Sequence, residues 1–153
     1  MSSVAAGQTS DADVVLPPVF IGAVRPIEPP GHAGAWALQV TTRGGFEGRR
    51  SDVTIRSDGT VTLFTAGNAT GFVQPDALVS LGQRIRTVTT SQWTADSRLG
   101  MCSDCMATLI VLAVRAPNGL IHTYRAFWDA TTKATIPAEL VRLHDLALTV
   151  QLR

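Results

Sequence analysis

The chain has 153 residues, 45% apolar and 16% charged, with 13 basic against 12 acidic side chains for a formal net charge of +1. This length fits one domain that buries about 70% of the surface its unfolded form exposes, so a packed core is expected and global disorder is not. The balanced charge gives no reason to expect nucleic acid or an anionic membrane as partner. No apolar run reaches the ~20 residues of a membrane-spanning helix, the longest being Met106 to Val114.

Pro17, Pro18, Pro26, Pro29 and Pro30 fall within residues 1–35, together with Gly22, Gly31 and Gly34. They block a long helix or a central strand there. Ser2 to Asp13 is small and polar and is expected to be disordered. Val14 to Ile27 is apolar enough to lie against the domain as an extended arm. No signal peptide is visible, yet the stretch looks like the linker of a processed secreted protein or lipoprotein, which favours a periplasmic or secreted location over a cytoplasmic one. The chain is therefore divided into an arm or linker, 1–35, and a single α+β domain, 36–153.

Trp36, Leu38 and Val40 alternate with Ala37, Gln39 and Thr41, the period of a half-buried strand. Val53 and Ile55 alternate with polar neighbours. Ser57-Asp58-Gly59 then supplies a hairpin turn, expected as type I′, and Val61 and Leu63 continue the alternation. The period changes after Pro75: Leu78, Leu81, Ile85 and Val88 are spaced 3, 4 and 3, the apolar stripe of a helix, although Gly82 costs it about 1 kcal/mol relative to Ala. Met106 to Arg115 is apolar on both faces and reads as the doubly covered central strand. Pro117-Asn118-Gly119 turns the chain, and Leu120 to Trp128 returns. Pro137 opens a second helix with Leu140, Leu143, Ala147 and Val150 in register, unless the end from Asp145 is an extended tail. The order β-β-β-α-β-β-α predicts an antiparallel sheet of about five strands with two helices on one face.

Few residues suggest chemistry. Cys102-Ser103-Asp104-Cys105 has the spacing of a redox pair, but a thiolate there is stabilised by a helix N-terminus after the pair, and the segment from Met106 reads as a strand. Zinc needs four ligands and there is no second pair; His32, His122 and His144 complete a site only if distant segments converge. A structural disulfide or inert thiols is favoured over metal or redox use. His144, beside Asp145, is expected on the polar side of its helix. No G-x-S-x-G nucleophile elbow is present, and Asp96, Asp104 and Asp129 have no paired carboxylate. The aromatics lack the basic interleaving of a base-stacking surface. No catalytic residue, metal or cofactor is expected.

Arg43-Gly44-Gly45-Phe46-Glu47-Gly48 is more distinctive. The paired glycines allow φ > 0 and Phe46 projects from the turn; without G-K-[ST] or a helix after it, it is not a phosphate loop. Phe46 either folds back to cap the core or is exposed and docks into a partner's cleft.

The run from Trp36 to Gly48 resembles the opening strand of emfourin-like proteins, small bacterial inhibitors of thermolysin-like metalloproteases, through its Gly-Gly-Phe-x-Gly turn. The helix over Leu78 to Val88 and the segment from Pro137 to Leu148 are similar to later elements of that family, so the resemblance covers roughly residues 36–150. It implies a stoichiometric inhibitor acting on a protein partner, a metalloprotease, through an extended edge or glycine-rich loop. Gly44, Gly45, Phe46 and Gly48 are then the partner-binding residues; Cys102 and Cys105 are the disulfide candidate on their own spacing, apart from the resemblance. This chain departs from the family in its proline-rich arm and cysteine pair. The leading expectation is a non-catalytic protein-binding domain. The alternatives are a structural or envelope-associated domain and, behind it, a thiol or metal protein using the C-x-x-C pair.

Overall fold

The computed structural model describes residues 16–20, 27–45, 49–64, 68–88, 93, 96–102 and 104–149. It contains strands β1 (Trp36–Gly44), β2 (Arg49–Arg56), β3 (Thr60–Phe64) and β4 (Asn68–Phe72), helix α1 (Pro75–Thr87), strands β5 (Met106–Arg115) and β6 (Ile121–Asp129), and helix α2 (Ala138–Leu148). Short 3₁₀ turns occur at Pro18–Phe20 and Lys133–Thr135. All pairings are antiparallel, in the order β4-β3-β2-β1-β5-β6. This is the α+β class predicted from the periodicities, with six strands in place of about five.

The additional strand is β4. Asn68-Ala-Thr-Gly-Phe72 has no apolar alternation, and its glycine is unfavourable in a strand interior. It forms as the outer strand, bonded only to β3 with Thr62 opposite Thr70, and an edge position demands no buried face. The β2–β3 turn also differs from expectation. Among the described residues none other than glycine has positive φ, so Asp58 keeps a negative φ and Gly59, at φ 92°, is the left-handed residue of this turn. The Gly59 N–H donates to the Arg56 carbonyl, and the Asp58 carboxylate accepts from the Thr60 N–H and hydroxyl. This is a three-residue turn closed by a bulge rather than type I′.

On one face, Leu38 and Val40 of β1, Ile55 of β2, Val61 of β3, Ile110 and Leu112 of β5 and Trp128 of β6 pack beneath the helices. The expected stripes supply the cover: Leu81 and Ile85 from α1, Leu140, Leu143 and Ala147 from α2. Val150 lies outside the described residues. His144, expected on the polar side of α2, is on the buried side instead, with its ring against Trp128 at 5.3 Å and 74°. It is next to Leu143 and lies four positions after Leu140, so the helical period carries it inward.

The other face overturns the half-buried reading of β1. Ala37, Gln39, Thr41 and Arg43 are all buried, as β1 lies between β2 and β5 and the N-terminal arm crosses above. Phe20 is 1% exposed and packs with Ala107, Leu109, Val111 and Phe127, with Leu16, Ile27 and Leu99 around them. Arg115 holds the arm farther along: Nε donates to the Pro30 carbonyl at 2.8 Å, Nη2 to that of Pro29 at 3.0 Å, and Glu28 stands 3.5 Å from Nη2. The boundary near residue 35 thus marks where the sheet begins, while packing begins earlier. Ser2 to Asp13, expected to be disordered, lie outside the described residues.

Burial under the arm leaves a cost. Gln39 Nε2 donates to Thr54 Oγ1 at 3.3 Å, but Gln39 Oε1 and Thr41 Oγ1 have no partner among the described residues. An unsatisfied buried polar atom costs about 1–3 kcal/mol. Thr41→Val, which replaces the hydroxyl with a methyl, is expected to raise stability by about 1 kcal/mol in urea denaturation. Phe20→Ala is expected to lower it by about 3 kcal/mol, whereas Val19→Ala, at a side chain 38% exposed, should stay within about 0.5 kcal/mol.

Candidate functional site

The turn singled out in the sequence leaves the end of β1. Gly44 is the last β1 residue and is paired on both sides, with Arg49 of β2 and Met106 of β5. Gly44 and Gly45 have φ of 97° and 80°, a left-handed pair that an L side chain adopts only with strain. Space also requires glycine there. A Cβ on Gly44 would stand 3.2 Å from the Cys105 carbonyl, and one on Gly45 would stand 2.6 Å from the Met106 sulfur. Phe46 and Gly48 lie outside the described residues.

One rung below, Arg43 fastens the base of the turn. Its Nη2 donates to Asp52 Oδ2 at 3.1 Å, its Nη1 stands 3.0 Å from Oδ1, and Nη1 donates to the carbonyls of Thr42 and Ser51. Arg43 is 8% exposed, so this ion pair works in a less screened setting than a surface pair.

The neighbour of the turn is the cysteine loop. Cys102 and Cys105 are joined by a disulfide with Cα atoms 5.4 Å apart, and β5 begins at the next residue. Met101, beside the bridge, is fully exposed. The segment leading into this loop is held by Asp129 at the end of β6. Its carboxylate accepts from the backbone N–H of Gly100 at 2.8 Å, of Thr131 at 2.8 Å and of Thr132 at 3.1 Å, and from the Thr131 hydroxyl. The Thr132 hydroxyl donates to the Arg98 carbonyl, and Ser97 Oγ accepts from the Phe127 N–H. A Cβ on Gly100 would collide with the Thr131 side chain.

Burial alone would raise the Asp129 pKa, but the hydrogen bonds from Thr131, Gly100 and Thr132 outweigh it and hold the carboxyl below its ordinary value of 3.8. The Gly100 contact ties this carboxylate to the segment leading into the cysteine loop, and the Thr131 and Thr132 contacts close its own turn after β6.

The other chemistry-bearing residues stay apart. His144 Nδ1 contacts Asp145 Oδ1 at 3.0 Å on α2, and His122 is on β6 opposite Val114. Among the described residues no three His, Cys, Asp or Glu side chains converge as metal ligands, and no helix is long and apolar enough to cross a membrane. In the sequence the Gly-Gly turn and the cysteine pair occupy separate connections. No signal there says that they meet, because strand order brings β1 and β5 together. Asp129 lacks a carboxylate partner and so gives no catalytic signal, although Asp129-x-Thr131-Thr132 is a readable side-chain turn.

No family model matches the chain, and no curated protein matches its sequence.

Asp129 has a lowered folded-state pKa, so the stability it contributes is present above the unfolded value and is lost as pH falls through the folded one. Asp129→Asn is expected to cost about 2 kcal/mol at pH 7. It should also flatten part of the acid-induced loss below about pH 4, read from urea midpoints across the acid range up to neutrality. Asp58, whose pKa is lowered mainly by the Thr60 N–H, keeps the remaining slope from vanishing.

Proposed function

We propose that this chain is a non-catalytic protein-binding domain that presents the β1–β2 turn, Gly44 to Gly48, to a cleft on a protein partner. The observation that carries the reading is the construction of the turn. Two left-handed glycines are held between β2 and the cysteine loop, above the buried Arg43–Asp52 pair. A loop whose stem is already fixed loses little conformational freedom on binding, and this pre-organisation favours affinity.

The mode of binding rests on the topology. β1 is paired on both sides, with β2 and β5, while β2 is paired with β1 along its length and with β3 over Asp52–Ile55. The outer strands among the described residues are β4 and β6, separated from this connection by β3 and β5, so the turn enters a partner as an inserted loop. The Cys102–Cys105 bridge fits an oxidising compartment, periplasmic or secreted.

The partner class to test first is the thermolysin-like metalloprotease implied by the Gly-Gly-Phe-x-Gly resemblance. A thermolysin-type protease titrated with the protein is expected to lose activity stoichiometrically. Phe46→Ala should weaken inhibition at least tenfold with an unchanged melting temperature. Full protease activity under excess protein would overturn the inhibitor reading. A Phe46→Ala variant with a much lower melting temperature would assign Phe46 to the core instead.

A further inference from the structure

On the helix-covered side, away from the turn, a cleft of about 570 Å³ opens between the C-terminal end of α1 and the sheet. That volume lies within the range of small-molecule sites. Trp36, Ile85, Leu112 and Val114 form apolar walls, Tyr124 adds an aromatic ring, and Arg86 stands in the last turn of α1. The lining also includes Arg115 and His122 and, among the described residues, no carboxylate. The Arg115 guanidinium is engaged with the carbonyls of Pro29, Pro30 and Gly119, so the available cation is Arg86.

Two donors of the lining residues lie near one another beside Gly82. Arg86 Nη1 and Trp36 Nε1 lie 3.7 and 3.9 Å from where a Cβ on Gly82 would stand. Trp36 is buried as a residue, but its indole N–H is not sealed from solvent and meets no acceptor among the described residues, so it is open to a ligand; the Ser57 hydroxyl is taken by the Trp36 backbone N–H. Gly82, the residue that weakens the helix in the sequence, is itself buried, and a Cβ there would be in ordinary contact with both donors. An unpartnered N–H, a guanidinium beside it and apolar walls together suit one type of ligand.

We infer that this cleft binds a single-chain amphiphile with a carboxylate head. The head accepts hydrogen bonds from Trp36 Nε1 and Arg86, and the alkyl tail lies along Ile85, Leu112 and Val114. A charge-assisted contact to a guanidinium fixes the head, while burial of the tail drives the association. The site is separate from the β1–β2 turn and does not depend on the protease reading.

A cation in the last helical turn also complements the helix dipole, and the test separates the two roles. Calorimetric titration of the full chain with decanoate, below its micelle concentration, is expected to show saturable 1:1 binding. Acetate, the head without the tail, should show none, and decyltrimethylammonium should bind at least tenfold more weakly. Arg86→Glu should weaken decanoate at least tenfold. Arg84→Glu, which reverses a charge in the same helical turn outside the lining, should change affinity less than twofold. No saturable decanoate binding at millimolar concentration, equal affinity for decyltrimethylammonium, or equal losses in the two arginine variants would each overturn the inference.

Discussion

The two strands at the heart of the sheet are buried on both faces, and the rest of the structure depends on covering them. β5 carries Leu109 and Val111 on one side and Ile110 and Leu112 on the other, all at most 3% exposed. β1 lies beside it and shares both environments. Water must be excluded from two surfaces at once, since each buried aliphatic side chain contributes about 1.5–3 kcal/mol. The helices cover one surface. Neither α1 nor α2 covers the second, and the N-terminal arm supplies cover through Phe20, Leu16 and Ile27.

This arrangement explains the distribution of polar groups. The face under the arm carries Gln39, Thr41, Arg43, Asp52 and Thr54 near its aliphatic part. Arg43 and Asp52 pair with one another, whereas Gln39 Oε1 and Thr41 Oγ1 find no partner among the described residues. A surface of this composition is intermediate between a core and a solvated face, and a thin strap suits it better than a second layer of helices. Arg115 anchors that strap by backbone carbonyls, which demands no particular side chains from the arm beyond its prolines' fixed shape.

Function and fold meet at the ends of β1. At one end, the Gly44–Gly45 turn rests on the cysteine loop, itself moored by Asp129. At the other, Trp36 begins the strand and lines the cleft below α1. The same strand therefore connects the proposed protein-binding turn to the proposed ligand cleft, with its centre locked between β2 and β5. Neither site uses the Cys102–Cys105 sulfurs as reagents; the bridge closes the loop that supports the turn.

Much of this was legible from residue spacing. The spacings of Leu78, Leu81 and Ile85 and of Leu140, Leu143 and Ala147 located both helices and most of their buried sides, and two-residue alternation located β1, β2 and β3. The Asp-Gly and Asn-Gly turns marked where the chain reverses, because few other residues tolerate those conformations. Spacing of this kind reports the shape a segment prefers and which of its sides is apolar. It is silent on neighbours remote in sequence. Only the tertiary structure decided that Phe20 would cover Phe127, that Asn68–Phe72 would pair with β3, that His144 would turn inward against Trp128, and that Gly45 would rest on Met106. Each of these depends on strand order and long-range packing, where the free energy of a contact belongs to two distant segments and is written in neither alone.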